Sequence, residues 1–67
     1  MTIGERIKSQ RMALGLTQKE FSKSLGVGRK VIGKWESGVV GAIPLSQIQL
    51  MAVLFKVNAS YLIEDEE

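Results

Sequence analysis

The stretch that most constrains the fold runs from Thr17 to Glu36, TQKEFSKSLGVGRKVIGKWE. Thr17 is followed three residues later by Glu20, a capping box in which the Thr hydroxyl and the Glu carboxylate each accept a hydrogen bond from a backbone N–H. A helix should therefore begin at Gln18. Gly26 should end it, because glycine takes the left-handed conformation after a helix at no steric cost. A further helix follows after a short turn, so the stretch predicts a helix-turn-helix.

The two faces of this further helix, which should begin near Gly28, differ in composition. Its apolar residues recur at helical spacing and predict a buried stripe of Val31, Ile32 and Trp35. The outward residues are then Arg29, Lys30, Gly33 and Lys34. Three of these four are cationic, as suits a helix that enters the major groove of DNA.

A cationic helix face can also be an ordinary solvated surface, and in an isolated helix that is the more common case. The turn favours the DNA-binding interpretation here. A small residue, Ser22, precedes Gly26 at the turn, and an apolar Val27 follows it and should point inward. The β-branched Ile32 and the large Trp35 then come at the spacing of a DNA-reading helix-turn-helix.

The length and composition predict one domain held together by helix packing. The chain has 67 residues, no Cys and no His, and 45% hydrophobic residues, so neither disulfides nor a histidine metal site can stabilise it. No stretch approaches the roughly 18 apolar residues of a membrane span, and the N-terminus lacks the apolar segment of a signal peptide. We expect a cytoplasmic protein that contacts no membrane.

The charge is distributed unevenly along the chain. Residues 1–38 carry eight positive and three negative side chains, a balance of +5, whereas residues 39–67 carry one positive and four negative, a balance of −3. Such asymmetry favours an oriented encounter with nucleic acid. We expect a domain over residues 1–63 and a solubilising acidic tail over residues 64–67.

The first helix is predicted over about residues 3–14. Thr2 and Glu5 form a second capping box, Gly15 should end the helix, and the residues expected to point inward are Ile3, Ile7 and Leu14. Arg11 lies one turn after Ile7 and should also be directed at the core, where a guanidinium requires a carboxylate partner. Glu36 is the candidate. The alternative is that the Arg11 side chain extends its charged end into solvent.

The C-terminal half predicts two more helices. Pro44 suits the first turn of a fourth helix that runs to about Phe55. Its expected buried residues are Leu45, Ile48, Met51, Ala52 and Phe55. Asn58 can cap a short fifth helix over residues 59–63, in which Leu62 should complete the core. The sequence thus predicts an all-α fold of five helices without strands.

Three sequence blocks resemble the phage-repressor and Cro type of helix-turn-helix domain, also called the Xre family. They are Arg11 with Gly15–Gln18, the turn Leu25–Val27, and Ile32–Gly38. The resemblance covers nearly the whole chain. It implies a compact lambda-repressor-like fold and a transcriptional regulator that binds double-stranded DNA.

The resemblance also implies roles for individual residues. The third helix would lie in the major groove, and the family's base-reading positions correspond to Arg29, Lys30 and Lys34. Gln18 would contact a DNA phosphate from the N-terminus of the second helix, and the further candidate phosphate contacts are Thr17, Lys19 and Gly28. Arg11 and Glu36 match an interhelical ion pair of the family.

Two departures from the family pattern stand out. Gly28 and Gly33 occupy positions where the family usually has a polar side chain, so two potential DNA contacts are missing. The segment Val39–Ile43 is apolar where members often carry Lys or Arg. Either this loop packs against the core or it forms part of a protein contact.

Two functional hypotheses follow from the sequence. The first is a transcriptional repressor or Cro-like regulator that binds a palindromic operator as a homodimer. The second is an antitoxin-like or protein-interaction module that uses the same fold and contacts its partner through the apolar loop. An enzyme is a distant third, because His, Cys and a phosphate-binding glycine loop are all absent from the sequence. We expect no cofactor, no metal and no small-molecule substrate.

Overall fold

The described residues form five helices, and the most buried side chain of each belongs to one core. The computed structural model describes residues 2–38 and 43–63. The helices are α1 Ile3–Ala13, α2 Gln18–Leu25, α3 Arg29–Ser37, α4 Leu45–Phe55 and α5 Ala59–Ile63. The described residues contain no strand. The predicted all-α, five-helix architecture is confirmed.

Both predicted capping boxes are present. The hydroxyl of Thr2 accepts from the Glu5 N–H at 3.2 Å, and that of Thr17 accepts from the Glu20 N–H at 3.1 Å. Each Glu carboxylate accepts in return from the Thr backbone N–H, at 2.8 and 2.9 Å. These backbone N–H groups are the main cause that lowers the pKa of Glu5 and of Glu20 below the usual value. Local sequence alone therefore fixes where α1 and α2 begin.

The core draws one fully buried side chain from each helix. These five side chains are Ile7, Phe21, Ile32, Met51 and Leu62. The rings of Phe21 and Phe55 stack with their centroids 5.4 Å apart and join α2 to α4. Five short helices thereby share a single apolar centre, which is how a chain of this length fixes the orientation of α2 and α3.

Two residues expected in the core are instead exposed. Leu14 is 47% exposed because α1 ends at Ala13, and the chain turns away at Gly15, where φ is +74°. Leu16, just past the turn, packs against the core in its place. Leu45 is 61% exposed, although it was predicted to be buried.

The burial pattern of α4 explains the second error. The helix begins at Leu45, with Pro44 as its extended N-cap, and not with Pro44 inside the first turn. Its buried side is the stripe Ile48, Met51, Ala52 and Phe55. Leu45 shares the other side with exposed Gln49 and Val53, at i, i+4 and i+8.

Two contacts of α1 hold it closely against other helices. A side chain at Gly4 would place its Cβ 2.4 Å from the backbone oxygen of Trp35, so only glycine allows α1 to approach α3 this closely. Arg6 is buried, donates to the carbonyl oxygen of Tyr61, and lies with its guanidinium carbon 5.1 Å from the centre of the Tyr61 ring. Arg6 therefore fastens α1 to α5 and does not add to the positive surface.

The expectations for the loop and the tail stay predictions. Val39–Ala42 and the acidic residues 64–67 lie outside the described residues. Ile43, at the end of the loop, is half-buried and packs against the core.

Candidate nucleic-acid interface

The turn between α2 and α3 has the geometry expected of a helix-turn-helix. Gly26 caps α2 in the left-handed conformation, with φ 72° and ψ 28°. The Val27 N–H donates to the Ser22 carbonyl at 3.1 Å, and the Val27 side chain packs against the core. Gly28 is extended and caps α3, and its carbonyl accepts from the Val31 N–H at 3.0 Å. Three residues thus reverse the chain and present α3 on the surface.

One side of α3 is buried and the other is exposed and cationic. The buried side consists of Ile32, Trp35 and Glu36. The exposed side chains are Arg29, Lys30, Lys34 and Ser37, with Gly33 partly exposed among them. Arg29, Gly33 and Ser37 follow one line along the helix, at i, i+4 and i+8, and Lys30 and Lys34 follow the adjacent line. The three residues predicted to read bases therefore share one accessible face.

A buried ion pair joins α1 to the end of α3. Arg11 Nε donates to Glu36 Oε2 at 2.7 Å, and its second terminal nitrogen donates to Oε1 at 3.1 Å. The remaining terminal nitrogen donates to the Leu16 carbonyl at 2.7 Å. The predicted partners Arg11 and Glu36 thus form a bidentate ion pair. Arg11 also stabilises the turn that leads into α2 through its bond to Leu16.

The side chain of Gln18 is tied to the same pair. Its amide nitrogen Nε2 donates to Glu36 Oε1 at 3.1 Å. The contact places the N-terminus of α2 beside the last turn of α3. It was not foreseen from the sequence, because no spacing rule connects two residues 18 positions apart on different helices.

The four candidate phosphate contacts fall into two places. Thr17, Gln18 and Lys19 lie at the N-terminus of α2, whereas Gly28 lies beyond its C-terminus. Because α2 has eight residues, about 12 Å of helix separates the two places. The Thr17 hydroxyl already accepts from Glu20, while Lys19 is exposed. Apart from its chain neighbours, no heavy atom lies within 4 Å of the position that a Cβ would take at Gly28.

Most of the accessible charge of the described region belongs to α2 and α3. Since Arg6, Arg11 and Glu36 are buried, residues 2–38 expose six cationic side chains and two carboxylates, a balance of +4. Five of the six cations lie on α2 and α3, namely Lys19, Lys23, Arg29, Lys30 and Lys34. Lys23 was not among the predicted site residues. Its position in the last turn of α2, close in sequence to the turn before α3, is the signal that could have added it to this cationic surface.

Residues 2–38 and 43–63 contain no group of three or more His, Cys, Asp or Glu side chains that could hold a metal ion. In the same residues no helix has both the length and the apolar composition needed to cross a membrane.

Comparison with known proteins places the chain in a family. The sequence model of a helix-turn-helix family matches residues 7–62. Two curated relatives, named as uncharacterized HTH-type transcriptional regulators, come from Sinorhizobium medicae (strain WSM419) and Rhizobium meliloti (strain 1021). Each is 35% identical over 94% of this chain. The chain spans 45% of the length of each relative.

Solved structures share the fold. The P22 c2 repressor in complex with a synthetic operator has a TM-score of 0.85, at 23% identity, over 98% of both chains. SinR, described as the master regulator for biofilm formation and solved in complex with DNA, has a TM-score of 0.82 at 21% identity, over 91% of this chain and 97% of that one. The SOS-response transcriptional repressor LexA from Eubacterium rectale has a TM-score of 0.84 at 31% identity, over 97% of this chain and 68% of that one. The chain belongs to the helix-turn-helix family of transcriptional regulators, of the phage-repressor and Cro (Xre) type.

Proposed function

We propose that this chain is a sequence-specific repressor that binds a palindromic operator as a homodimer, with α3 in the major groove. The observation that carries the proposal is the exposed cationic face of α3, held outward by the glycine turn and by the buried Ile32 and Trp35. A protein of this kind meets its operator in the cytoplasm. Its partner is double-stranded DNA.

Base reading is assigned to the face that α3 exposes. Arg29 begins the helix, and a guanidinium there can donate to O6 and N7 of one guanine. Lys30 and Lys34 follow on the adjacent line and can reach neighbouring bases or phosphates. All three side chains are exposed, so none has to leave a buried position in order to meet DNA.

Phosphate binding is assigned mainly to the N-terminus of α2. The backbone N–H groups of Gln18 and Lys19 belong to the first helical turn, where such groups have no intrahelical acceptor and attract anions. The Gln18 amide gives one N–H to Glu36 and keeps a second for a phosphate oxygen. Thr17 supports the site by capping the helix, and Gly28 offers its backbone at the other end of α2.

The test is selection of bound sites from a random DNA pool, followed by titration of binding with salt. A regulator of this kind should select a recurring half-site. The logarithm of its affinity should fall linearly with the logarithm of the salt concentration, by about 0.9 for each phosphate contacted. Replacing Arg29, Lys30 and Lys34 together with Gln should abolish selection.

The matched control replaces exposed cations outside this face, Lys8 and Lys56, with Gln. This variant should still select the same half-site. An affinity for DNA that does not depend on the salt concentration, or a selected pool without a recurring site, would contradict the proposal. Either result would favour the protein-interaction module that shares this fold.

A further inference from the structure

Gly33 stands in the middle of α3 without a structural reason for being glycine. Glycine is among the least favourable residues in a helix interior. The backbone does not require it here, because the glycines with positive φ are Gly15, Gly26 and Gly38 among the described residues. Packing does not require it either, since no heavy atom other than the neighbouring backbone of α3 itself lies within 4 Å of the position that a Cβ would take.

Gly4 differs from Gly33 in its surroundings. Gly4 also lies inside a helix, but a Cβ there would come within 2.4 Å of the Trp35 backbone oxygen. Fold packing thus accounts for Gly4 and leaves Gly33 unexplained. A residue that weakens its own helix and faces open space suggests contact with something outside the chain.

The surroundings of Gly33 indicate what that is. It lies between Arg29 and the small Ser37 on one line of α3, next to the line of Lys30 and Lys34. The missing side chain therefore leaves a shallow notch within the cationic face, and the helix backbone forms the floor of that notch. The cationic side chains around the notch favour DNA as the partner. Because the notch is narrow and has no side chain at its base, it suits a small apolar group that protrudes from a base edge.

We propose that Gly33 is a specificity-determining residue, at which the backbone of α3 packs directly against a base edge of the operator. The inference rests on the proposed function. The group in the major groove that fits an apolar notch is the C5-methyl of thymine. Specificity at this position would then come from shape, beside the hydrogen bonds of Arg29.

The experiment uses Gly33→Ala and Gly33→Ser, with Gln49→Ala as the control at an exposed position in α4. The melting temperature of Gly33→Ala should rise by about 5 °C, because alanine is the better helix former and has room. Its affinity for the selected operator should fall about tenfold or more, as for a mismatched base pair. Its affinity for random-sequence DNA should change less than about twofold, since phosphate contacts dominate there. Gln49→Ala should leave both affinities unchanged.

A second arm removes the opposing group. Each thymine of the half-site is replaced in turn by uracil, which lacks the methyl. At one position the loss caused by Gly33→Ala should shrink to less than about threefold, because the added Cβ then occupies the vacated space.

Three outcomes overturn the inference. They are a Gly33→Ala variant that binds the operator as wild type does, one that loses affinity equally for all DNA, and one that is less stable than wild type. These are distinct from failure of the proposed function, in which the wild-type chain itself selects no DNA site.

Discussion

At the scale of single residues, the least expendable polar groups are Arg11 and Glu36. Both are buried, and each satisfies the charge of the other through two hydrogen bonds. Glu36 also accepts from Gln18, and Arg11 also donates to Leu16. The pair thus connects α1, the turn before α2, the start of α2 and the end of α3. Loss of one partner leaves the other charged in a site of low solvent access.

The first prediction follows from this geometry. Arg11→Ala and Glu36→Ala should each lower the free energy of unfolding by about 3–5 kcal/mol, because the surviving charge is left unpaired. Urea denaturation followed by circular dichroism measures the change. Lys8→Ala, which removes an exposed cation of α1, should change stability by less than about 0.5 kcal/mol.

The double variant Arg11→Met with Glu36→Leu provides the complementary test. Replacing both charges with apolar groups of similar size leaves no unpaired charge, and only the Leu16 carbonyl and the Gln18 amide lose a partner. It should therefore recover part of the stability lost by either single variant. A urea midpoint for Arg11→Ala equal to that of wild type would show that the pair contributes no more than a surface salt bridge.

At the scale of helices, the way α1 packs on α3 depends on a single glycine. A methyl group at Gly4 would meet the backbone oxygen of Trp35 at 2.4 Å, and a backbone atom cannot move aside as a flexible side chain can. Gly4→Ala should therefore destabilise the fold by about 2 kcal/mol or more through overpacking, despite the higher helix propensity of alanine. Thermal denaturation of Gly4→Ala beside Gly33→Ala tests this. Opposite signs are expected, and an increase in stability for both would refute the close approach.

The sequence predicted the parts of the fold that depend on neighbours in the chain. The capping boxes of Thr2 and Thr17 and the glycine at the α2–α3 turn need only residues three or four positions apart. Arg11 could also be recognised, because its spacing from Ile7 directed it at the core. The predicted burial of Leu14 and Leu45 was wrong. Leu14 lies just past the end of α1, and Leu45 begins α4 on the line of exposed Gln49 and Val53.

Apart from the pairing of Arg11 with Glu36, contacts between distant segments could not be predicted in the same way. Arg6 contacts Tyr61, which lies 55 positions away in the sequence. The sequence pattern around Arg6 does not distinguish it from a solvent-exposed arginine. In the sequence, Gly4 is only a residue of low helix propensity. The need for glycine there becomes visible once the backbone of α3 is packed against it. The bond from Gln18 to Glu36 likewise exists only once α2 and α3 are packed. Within the candidate site, the cationic face of α3 was predictable, whereas the hydrogen bond from Gln18 to the ion pair was not.

The division between reading and positioning is a prediction about α2 and α3. Arg29→Ala should weaken binding to the preferred operator by about 1–3 kcal/mol and have much less effect on an operator variant that lacks the contacted guanine. Gln18→Ala should weaken all sites alike, because a phosphate is the same at every position. Binding curves against the operator and its single-base variants, at one salt concentration, separate the two.

The stability of both variants is measured alongside, because Gln18 also bonds Glu36. Lys30, which can serve either purpose, is classified by the same curves. Equal losses on every operator variant for Arg29→Ala would make Arg29 a phosphate contact and would place the reading face elsewhere.

At the scale of the whole molecule, size limits what one copy can recognise. α3 has nine residues and is about 13 Å long, which is the length of about four base pairs. The principal-axis extents of the fold are 30 × 25 × 21 Å. Two copies with centres one DNA turn apart, about 34 Å, would therefore lie side by side on one face of the duplex and nearly touch.

This geometry leads to the last prediction, cooperative binding of two chains to paired half-sites. The operator should be an inverted repeat with half-site centres about 10 base pairs apart, and association without DNA should be weak. The surfaces expected to meet are the loop Val39–Ile43 and α5 around Tyr61, which is exposed. Sedimentation with a DNA carrying both half-sites should give two chains per duplex. A five-base-pair insertion turns the second half-site to the opposite face of the duplex, so cooperativity should vanish, whereas each half-site keeps its own weak affinity. Undiminished affinity after that insertion, or one chain per operator, would show that the protein reads its site as a monomer.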